Sequence, residues 1–474
     1  MSHTNHLYDE IELGQEASIT RVLTTNDLIV FAHASGNLNP IHLPELDGDG
    51  DGKPEAVAPS MWVASLFSAV LGNILPGIGS LYQAQTLRFR GRVKIGDAIR
   101  VTVRVREKRP ERVVVFDCRC TLEDGTPIAD GEAEVIAPAR KVVLPDHHLP
   151  ELMIERHQHF DRLLAACDDV EPLATAVAVP EDDASLGGAL LAWRQGLIVP
   201  ILVGDEARIR AVARELGEEL EGIEVVHVPE HVAAAARAVE LVHEGRAGAI
   251  MKGYLHSDEL LGQITKRDAG LRTTRRLSHV FVLDVPGLPH PLLVTDAAIN
   301  IAPDLEAKVD ITQNAIDLAR AIGMDQPRVG VLSAVETVNT KIPSSVDAAV
   351  LSKMAERGQI KGGIVDGPLA MDNAIDVDAA RTKGIVSLVA GKAQVLVAPN
   401  LEAGNMMAKE LTFIAHAEAA GLVLGARVPV MLTSRADDEK SRLVSCALAQ
   451  LYDAWKRTGR SPVRARAAED EKEA

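Results

Sequence analysis

Aromatic residues are scarce in this 474-residue sequence and make up 3% of the chain. Alanine, valine and leucine carry most of the apolar content instead, which suits helix-rich α/β packing better than an all-β sandwich. Long apolar runs are missing as well, because the longest ones, such as GLIVPILVG, are short and interrupted by glycine or proline. We therefore expect a globular protein without a membrane-spanning segment and without a membrane as its partner.

Cysteine is rare, and the four residues present are Cys118, Cys120, Cys167 and Cys446. They show neither the spacing of a zinc site nor the pattern of a disulfide framework, which favours a cytoplasmic protein. The first residues contain no apolar core, so we expect no signal peptide.

Positive charge is in deficit, since the formal net charge is −17. An acidic field argues against nucleic acid as a partner, but a local basic cluster can still bind a small anion. The segment KRDAGLRTTRR (266–276) is such a cluster and fits either a solvated helix face or an arginine clamp for phosphate groups. The sequence has no P-loop and no complete GxGxxG after a strand, so nucleoside triphosphates and dinucleotides are poorly supported as ligands.

The chain is too long for one ordinary core, so we expect two or three domains. Residues 1–138 contain a predicted helix, Ser60–Leu75, followed by four runs that alternate apolar and polar residues. Such alternation is typical of antiparallel strands. The pattern predicts an α+β domain in which the sheet wraps around the helix.

Beyond this domain the pattern changes. Residues 139–159 have the composition of a linker, and residues 160–458 alternate apolar strand-like runs with alanine-rich helical stretches. This rhythm predicts an α/β domain with a largely parallel sheet, helices on both faces, and two subdomains with a cleft between them. Residues 459–474 are charged, and we predict a disordered tail.

Four histidines lie in or at the end of the linker: His147, His148, His157 and His159. Loop histidines without a cysteine or carboxylate partner are usually solvated. We therefore predict no metal site.

Polar residues follow the predicted strands of the C-terminal domain. In open α/β folds, ligands bind at the carboxyl ends of strands, although a single Asp there is as often a helix N-cap as a catalyst. The residues at these positions are Lys252, Gly253, Asp296, Asn300, Glu336, Asn339, Asp366, Gly367, Asn405, Thr433, Ser434 and Arg435. The series predicts a ligand site.

Six segments of this domain carry a resemblance to a known family. They are MKGYLHSDELL, GLRTTRRLSHVFV, TDAAINIAPDLEAK, AVETVNTKIPSSVDAAVLSKM, GQIKGGIVDGPLAMDNAI and LEAGNMMAKEL. In this order they resemble the phosphate acyltransferases, and they look closer to the butyryltransferase branch than to the acetyltransferases. The family converts acyl-CoA plus phosphate to acyl phosphate plus CoA without a metal or prosthetic group. The resemblance thus implies small-molecule substrates and no bound cofactor.

The resemblance also implies roles for residues of this sequence. Arg435 is expected to grip phosphate bidentately, with Ser434 and Thr433 donating hydrogen bonds to its oxygens. Lys252 is expected to neutralise charge on the attacking phosphate or on the carbonyl oxygen. The remaining expected binding residues, some near the phosphate pocket and some suited to the phosphates of CoA, are Thr273, Ser278, Arg272, Arg275, Arg276, Asp296, Asn300 and Asn405.

One position departs from the acetyltransferase branch. That branch carries an acid/base Asp seven residues after the Ser of its Ser-Arg pair, whereas this sequence has Ser441 there. We therefore expect either Asp438 or Asp366 to take any acid/base role.

The segment FAHASGNLNPIHL (31–43) resembles the signature of the MaoC-like (R)-specific enoyl-CoA hydratases, which are hot-dog folds. The likeness extends over residues 10–137. In that family an Asp and a His activate water, and here Asn37 and His42 hold these positions. An amide accepts no proton at physiological pH, and losing one member of an acid/base pair typically costs about 10²–10⁴-fold in rate. Ser60 replaces a Gly beside the oxyanion-binding helix start.

The sequence therefore predicts a phosphate acyltransferase fused to a hydratase-like domain that serves dimerisation or acyl-CoA binding. Two alternatives remain open, namely an active (R)-specific enoyl-CoA hydratase and a non-catalytic sensor of acyl-CoA or acyl phosphate. Both folds that the sequence resembles usually assemble, so we expect a homodimer or a larger homo-oligomer.

Overall fold

The computed structural model describes residues 3–44, 46–48, 50, 56–144, 157–432 and 438–465. The chain divides into an N-terminal unit, Met1–Leu152, and a C-terminal unit, Met153–Ala474. Within the described ranges, no helix combines the length and the apolar character needed to cross a membrane.

The N-terminal unit is built on a five-stranded antiparallel sheet in the order β2-β4-β5-β6-β3, and β1 pairs separately with β7. Its elements are β1 (His3–Thr4), β2 (Glu16–Val22), α1 (Thr25–Ser35), α2 (Ser60–Asn73), β3 (Leu81–Phe89), β4 (Ala98–Arg109), β5 (Val113–Leu122), β6 (Pro127–Ile136) and β7 (Val143–Leu144), with 3-10 turns at Tyr8–Glu10 and Pro40–His42. The predicted helix and the four predicted strands are confirmed.

Helix α2 forms the centre of this unit. It contains no charged residue, and its buried side chains include Trp62, Val63, Phe67 and Leu71. They pack against the alternate, inward-facing residues of the sheet, such as the fully buried Phe116. Burial of each such side chain contributes roughly 1.5–3 kcal/mol, so the helix fixes the sheet that wraps it. This is the predicted hot-dog arrangement.

The C-terminal unit contains one eleven-stranded sheet in the order β10-β9-β8-β11-β18-β17-β12-β13-β16-β14-β15. Its strands are β8 (Leu173–Ala178), β9 (Ile198–Gly204), β10 (Glu224–His227), β11 (Ala249–Lys252), β12 (Ser278–Asp284), β13 (Leu292–Thr295), β14 (Arg328–Leu332), β15 (Ile364–Leu369), β16 (Val395–Val397), β17 (Glu418–Leu424) and β18 (Val430–Met431). Its helices are α3 (His159–Ala165), α4 (Asp183–Arg194), α5 (Glu206–Glu215), α6 (His231–His243), α7 (Ser257–Ile264), α8 (Leu305–Ala321), α9 (Pro343–Glu356), α10 (Met371–Ile375), α11 (Val377–Thr382), α12 (Leu401–Phe413) and α13 (Glu439–Thr458).

Both faces of this sheet are covered. Along β8, Val177 belongs to one buried cluster and its neighbours Ala176 and Ala178 to another. Successive strand residues point to opposite faces, so helices cover both sides, as predicted. Strands β8 (LATAVA) and β17 (EAAGLVL) are hard to recognise from sequence, because alanine gives little strand signal.

The sheet reverses direction at its centre. Strands β10, β9, β8, β11 and β18 run parallel to one another, and β13, β16, β14 and β15 form a second parallel block of opposite direction. Strands β17 and β12 connect the blocks through antiparallel pairing. The expected parallel character is therefore confirmed, but a continuous sheet joins the two expected subdomains.

The segments predicted as linker and tail are partly built into the units. At one end of 139–159, Val143–Leu144 pairs with β1, and at the other end α3 begins at His159. Of the predicted tail 459–474, residues 459–465 are described: Ser461 donates to the carbonyl of Ala321 at 2.7 Å, and Val463 packs against the core. Apolar contact and a backbone partner therefore order the start of this segment, and residues 466–474 lie outside the described residues.

Candidate functional site

A cavity opens where β17 and β18 separate. The two strands share the single paired position Val423–Val430, and both Gly421, two residues before Val423, and Leu432, two residues after Val430, line the cavity. The resulting cavity measures about 460 Å³, within the range of small-molecule sites. Its walls comprise Ser257, Leu261, His279, Phe281, Ala298, Asn405, Ala408, Lys409, Thr412, Phe413, Ala417, Glu418, Ala419, Ala420, Gly421, Leu432, Asp438, Ser441 and Ser445.

A second, more open hollow of about 850 Å³ lies by the carboxyl end of α13, beside Arg457 and Ser461. None of the predicted site residues lines it. The cavity at the β17–β18 separation is therefore the better candidate site.

His279, the second residue of β12, is the only histidine in the walls of the cavity formed by the described residues. It is 4% exposed, and its ring packs edge-on against Phe281 at 4.3 Å between centroids. Burial lowers the pKa of His279 to about 4 because the apolar surroundings disfavour the imidazolium, although the Asp296 charge acts in the opposite direction. The ring is therefore neutral at physiological pH and can offer a hydrogen bond to a ligand.

Gly421 on β17 makes room for this histidine. A Cβ atom at Gly421 would lie 2.7 Å from Cε1 and 2.8 Å from Nε2 of His279. Real Cβ atoms do not approach other atoms so closely, so the imidazole position depends on the glycine.

The start of α13 closes one side of the cavity. Asp438 is the N-cap of this helix and accepts a hydrogen bond from the Ser441 amide at 2.7 Å. The Ser445 hydroxyl donates to the Ser441 carbonyl and accepts from the Gly421 amide at 3.3 Å. The Gly421 amide lies where β17 has lost its neighbour β18, so Ser445 replaces a strand partner. Asp438 thus lines the cavity and also caps a helix.

The loop after β13 contributes Ala298 to the cavity wall. The Asp296 carboxylate accepts the amides of Ala298, Ile299 and Asn300, and the Asn300 side chain donates both to Asp296 and to the Leu277 carbonyl. Asp296 and Asn300 therefore shape the loop rather than line the cavity. Asn405 lines it, and its Nδ2 donates to the Ala297 carbonyl at 3.0 Å.

Lys252 lies at the end of β11 and is 8% exposed. Its ammonium lies 3.2 Å from the Leu255 carbonyl and 3.4 Å from the Gly253 carbonyl. These contacts hold the loop that leads into α7, whose Ser257 lines the cavity. Lys252 itself is not among the described residues that line the cavity.

The predicted residues around the basic segment lie beside β12 and outside the cavity walls. Thr273 donates to the Gly425 carbonyl at 2.6 Å, and the buried Ser278 accepts from the Asn314 side chain at 2.9 Å. Arg275 pairs with Asp317 of α8, and its pKa is raised: burial opposes the charged form, but the hydrogen bond with Asp317 outweighs it.

The two other predicted arginines of this segment are exposed. The backbone of Arg272 forms an isolated antiparallel β-bridge with that of Ala426, and the Arg276 amide donates to Asp310 at 2.9 Å. Neither arginine is among the described residues that line the cavity, so a role toward CoA phosphates stays a prediction.

Asp366 lies apart from the cavity. It is on β15, the edge strand of the sheet, five strand positions from β17. Five spacings of about 4.8 Å place it roughly 24 Å away. Its carboxylate accepts hydrogen bonds from the Gly367 amide and the Ser387 hydroxyl. Because the second block of the sheet runs in the opposite direction, the carboxyl ends of its strands lie at the other edge of the sheet from those of the first block.

Thr433, Ser434 and Arg435 lie outside the described residues. The residues that flank their segment, Leu432 and Asp438, both line the cavity.

The N-terminal unit places two of its three predicted residues around one helix start. Nδ1 of His42 lies 2.8 Å from the Val57 carbonyl. A carbonyl only accepts, so Nδ1 carries the proton and Nε2 keeps its lone pair. Ser60 begins α2, and its amide is among those that a helix leaves without an intrahelical partner.

Asn37 follows helix α1. This helix begins after a capping box at Thr24 and ends at Gly36, which has a φ of 71°. The Asn37 side-chain oxygen accepts the Asn39 amide at 3.2 Å. Asn37 thus stabilises the turn that leads to His42.

His279, Gly421, Ser257 and Ser445 were missed by the sequence reasoning. The signal for His279 was available, because an ionisable residue inside the apolar run SHVFVL is unusual. Ser445 carries no such signal, since its partner Gly421 is brought to it only by the fold.

Two family models match the chain. Residues 230–450 match the model described as Phosphate acetyl/butaryl transferase, and residues 8–118 match the MaoC like domain. A branched-chain phosphotransacylase from Enterococcus faecalis V583 has a solved structure similar to this one, with a TM-score of 0.52 and 30% identity, covering 59% of this chain and 99% of that chain.

Two curated relatives match the C-terminal unit. A phosphate acetyltransferase from Rhizobium meliloti is 62% identical over 298 residues, covering 63% of this chain and 94% of that protein. A phosphate butyryltransferase from Clostridium acetobutylicum is 41% identical over 292 residues, covering 62% of this chain and 97% of that protein. Of these two, the acetyltransferase is the more similar, so the expected closer likeness to the butyryltransferases is wrong for this pair.

Proposed function

The chain belongs to the phosphate acetyl- and butyryltransferase family and carries a MaoC-like domain before it; from this premise we propose that the cavity at the β17–β18 separation is the acyl-transfer site. The reaction converts a short-chain acyl-CoA and phosphate to acyl phosphate and CoA. The observation that supports this location is a small-molecule cavity whose walls include Leu432 and Asp438, the described residues that come just before and after Ser434 and Arg435 in the sequence.

The chemistry needs positioning more than a covalent intermediate. A phosphate oxygen attacks the thioester carbonyl, the C–O bond forms and the C–S bond breaks. The proton of hydrogen phosphate ends on the CoA sulfur, so atoms and charge balance. Holding both reactants in the right geometry lowers the barrier by avoided translational and rotational entropy.

We assign the roles as follows. Arg435 binds the phosphate bidentately, Ser434 and Thr433 donate to its oxygens, and Lys252 acts through the loop that it holds. Asp438 is the better acid/base candidate than Asp366 because it lines the cavity. CoA and phosphate are substrates in this proposal, and no bound cofactor is required.

We also assign His279 and Asn405 a part in this site. A neutral imidazole and an amide can orient the thioester carbonyl without adding charge to the cavity. Arg272 and Arg276, which are exposed at the start of β12, are the residues proposed to meet the phosphates of CoA.

The test is phosphate-dependent release of free thiol from acetyl-, propionyl- and butyryl-CoA by the purified protein. Arg435→Ala is expected to lower kcat/KM by about 10²-fold or more, because a charge-assisted bidentate contact is lost. Arg381→Ala removes an exposed arginine that pairs with Asp378 and is the matched control. Absence of release with every acyl chain, or equal activity of the two variants, contradicts the proposal.

A second candidate, enoyl-CoA hydration by the N-terminal unit, is favoured by one observation. The proton on Nδ1 of His42 leaves Nε2 able to accept a proton beside the start of α2. Loss of crotonyl-CoA absorbance on hydration tests it. The absence of any loss contradicts an active hydratase and leaves the domain as a binding or assembly module.

For assembly, we propose a homodimer or larger homo-oligomer through the N-terminal unit. Strand β3 pairs on one side with β6 and forms an edge of the sheet, with Leu81, Tyr82 and Phe89 exposed. An edge strand with exposed apolar residues is a template for strand pairing. Light scattering should show an assembly that Leu81→Lys weakens, and a monomeric parent protein rules the proposal out.

For location, we propose the cytoplasm. All four cysteines are free and buried, and burial raises the pKa of Cys118, Cys120, Cys167 and Cys446 to about 12. Such thiols suit a reducing compartment. Cell fractionation tests this, and recovery outside the cytoplasm contradicts it.

A further inference from the structure

Three side chains from separate segments of the C-terminal unit meet at one end of the central strands. His157 precedes α3, Asp284 ends β12 and Glu418 begins β17. One ligand atom from each, a ring nitrogen and two carboxylate oxygens, all lie within 4.8 Å of one another. We propose that these side chains form a binding site for a divalent transition-metal ion of the Zn²⁺ type.

The strand register places two negative charges face to face. Asp284 and Glu418 are directly opposite partners in the antiparallel pair β12–β17. Like charges in directly opposite positions destabilise a sheet. A cation bound between the two carboxylates reverses this repulsion.

Asp284 supplies the strongest argument. It is completely buried, and its Oδ2 accepts the amides of His159 at 2.8 Å and Phe160 at 3.1 Å. Its Oδ1 is buried without a hydrogen-bond partner among the described residues. A buried charged oxygen without a partner is costly, and a metal ion is the kind of partner that offsets this cost.

His157 is prepared for metal binding by its backbone contact. Its Nδ1 lies 3.2 Å from the Asp284 carbonyl, which can only accept a hydrogen bond. The proton therefore lies on Nδ1, and Nε2 has the lone pair. Metal-binding histidines typically donate their other ring N–H in this way, which fixes the tautomer and the ring orientation.

Lys440 lies next to this site and neutralises it only in part. Its ammonium is 3.0 Å from Oε2 of Glu418 and 3.0 Å from Oδ1 of Asp161, so its charge is shared. Glu418 has a second oxygen, and a carboxylate can pair with an ammonium and bind a metal at the same time. Among the described ion pairs, Lys440 forms none with Asp284.

The ligand set selects the kind of ion. One imidazole with two carboxylates suits Zn²⁺ and similar transition ions, whereas Mg²⁺ prefers oxygen ligands alone. Ligand atoms around four-coordinate Zn²⁺ are roughly 3.4 Å apart, so separations of up to 4.8 Å must shorten by up to about 1.4 Å on binding. The partly exposed side chains of His157 and Glu418 can supply this movement, and water completes the coordination.

The experiment uses the full-length protein after treatment with a chelator and titrates it with Zn²⁺ alone against a fluorescent zinc indicator. We expect one site that His157→Gln, Asp284→Asn and Glu418→Gln each weaken by about 100-fold or more, since even partners of metal ligands are worth 10–100-fold. His159→Gln is the matched control, because His159 lies two residues away and its Nε2 contacts the Leu288 carbonyl. A large excess of Mg²⁺ should not displace the Zn²⁺.

Zinc should also raise the thermal unfolding temperature of the parent protein and of His159→Gln, but not of His157→Gln. If Asp284→Asn fails to fold, the two variants at partly exposed positions decide the result. Binding that is unchanged in both His157→Gln and Glu418→Gln, equal weakening by His159→Gln, or no zinc binding in the micromolar range overturns the proposal. The site does not depend on acyl transfer, so the thiol-release assay and the zinc titration can fail independently.

Discussion

The two units assemble their candidate sites in different ways. In the N-terminal unit, Asn37, His42 and Ser60 come from one short stretch of chain around a turn and a helix start. In the C-terminal unit, the cavity takes residues from α7 to α13, brought together where two strands separate. A site built from one stretch of chain can be recognised from sequence even when one of its catalytic residues is replaced. A site assembled from distant segments is recognised only by its family motifs.

The units also differ in what their polar residues do. Asn37 and His42 use one polar atom each to hold the turn, and the remaining ring nitrogen of His42 is left for chemistry. Around the cavity, by contrast, the Asn300 side chain donates to Asp296, and the Ser278 hydroxyl accepts from the Asn314 side chain. The three predicted binding residues among these thus hold the segments around the cavity, while His279 and Asn405 line it.

The largest effect that would sharpen this comparison is expected from Asn37→Asp. The substitution keeps the turn, because an Asp oxygen can also accept the Asn39 amide, and it restores a group that can accept a proton. We expect crotonyl-CoA hydration to rise by about 10²–10⁴-fold. Asn39→Asp is the control, since its side chain also accepts a turn amide. A parent protein that hydrates as fast as Asn37→Asp refutes the view that position 37 limits this unit.

The separation into two cores predicts the next effect. Phe67 and Phe160 are both fully buried, the first in the N-terminal core and the second in the C-terminal core. Each Phe→Ala change should cost about 3–5 kcal/mol of unfolding free energy in its own unit. When urea unfolding is monitored by thiol-release activity, Phe160→Ala should lower the urea concentration at the midpoint. Phe67→Ala should lower it much less. Equal shifts for the two variants would show that the cores unfold as one.

A smaller effect is expected from Gly421→Ala. The added Cβ meets the buried ring of His279 and the Val280 carbonyl at 2.9 Å, so either the strand or the imidazole must move. We expect a loss of about 1–3 kcal/mol in stability together with lower acyl transfer. Gly262→Ala, where a Cβ would meet nothing within 4 Å, serves as the control. Unchanged stability and transfer in Gly421→Ala would mean that the cavity is less tightly built than these distances require.

The smallest effect concerns pH. The pKa of His279 is about 4 in the folded protein against 6.5 as its ordinary value, so the unfolded chain binds the proton more readily between these limits. Stability from this group is present above pH 6.5 and is lost as pH falls toward 4, by about 2 kcal/mol between pH 7 and pH 5. The difference between the free energies of urea unfolding at pH 7 and at pH 5 should be smaller in His279→Gln than in the parent protein, by about 2 kcal/mol. The exposed His227→Gln should behave like the parent, and an equal pH dependence in all three proteins would exclude a buried neutral His279.

Much of the fold could be predicted because it depends on local patterns. The alternation of apolar residues from β3 to β6 and the uncharged helix α2 required the wrapped sheet, since burying one face of each is the main source of stability. Strand β17 was not recognisable from sequence, because it begins with Glu-Ala-Ala and alanine suits a helix as well as a strand. Without β17, the reversal at the centre of the sheet could not be foreseen.

The sequence by itself determined the two folds, the order of the family motifs and the replacement at Asn37, because each is written in consecutive residues. Only the tertiary structure decided that Asp438 lines the cavity and Asp366 does not, since that depends on the direction of strands far apart in the chain. It likewise brought His157, which was expected to be a solvated loop residue, to Asp284 and Glu418. Burial and strand register, which act between distant segments, assign these side chains their chemistry.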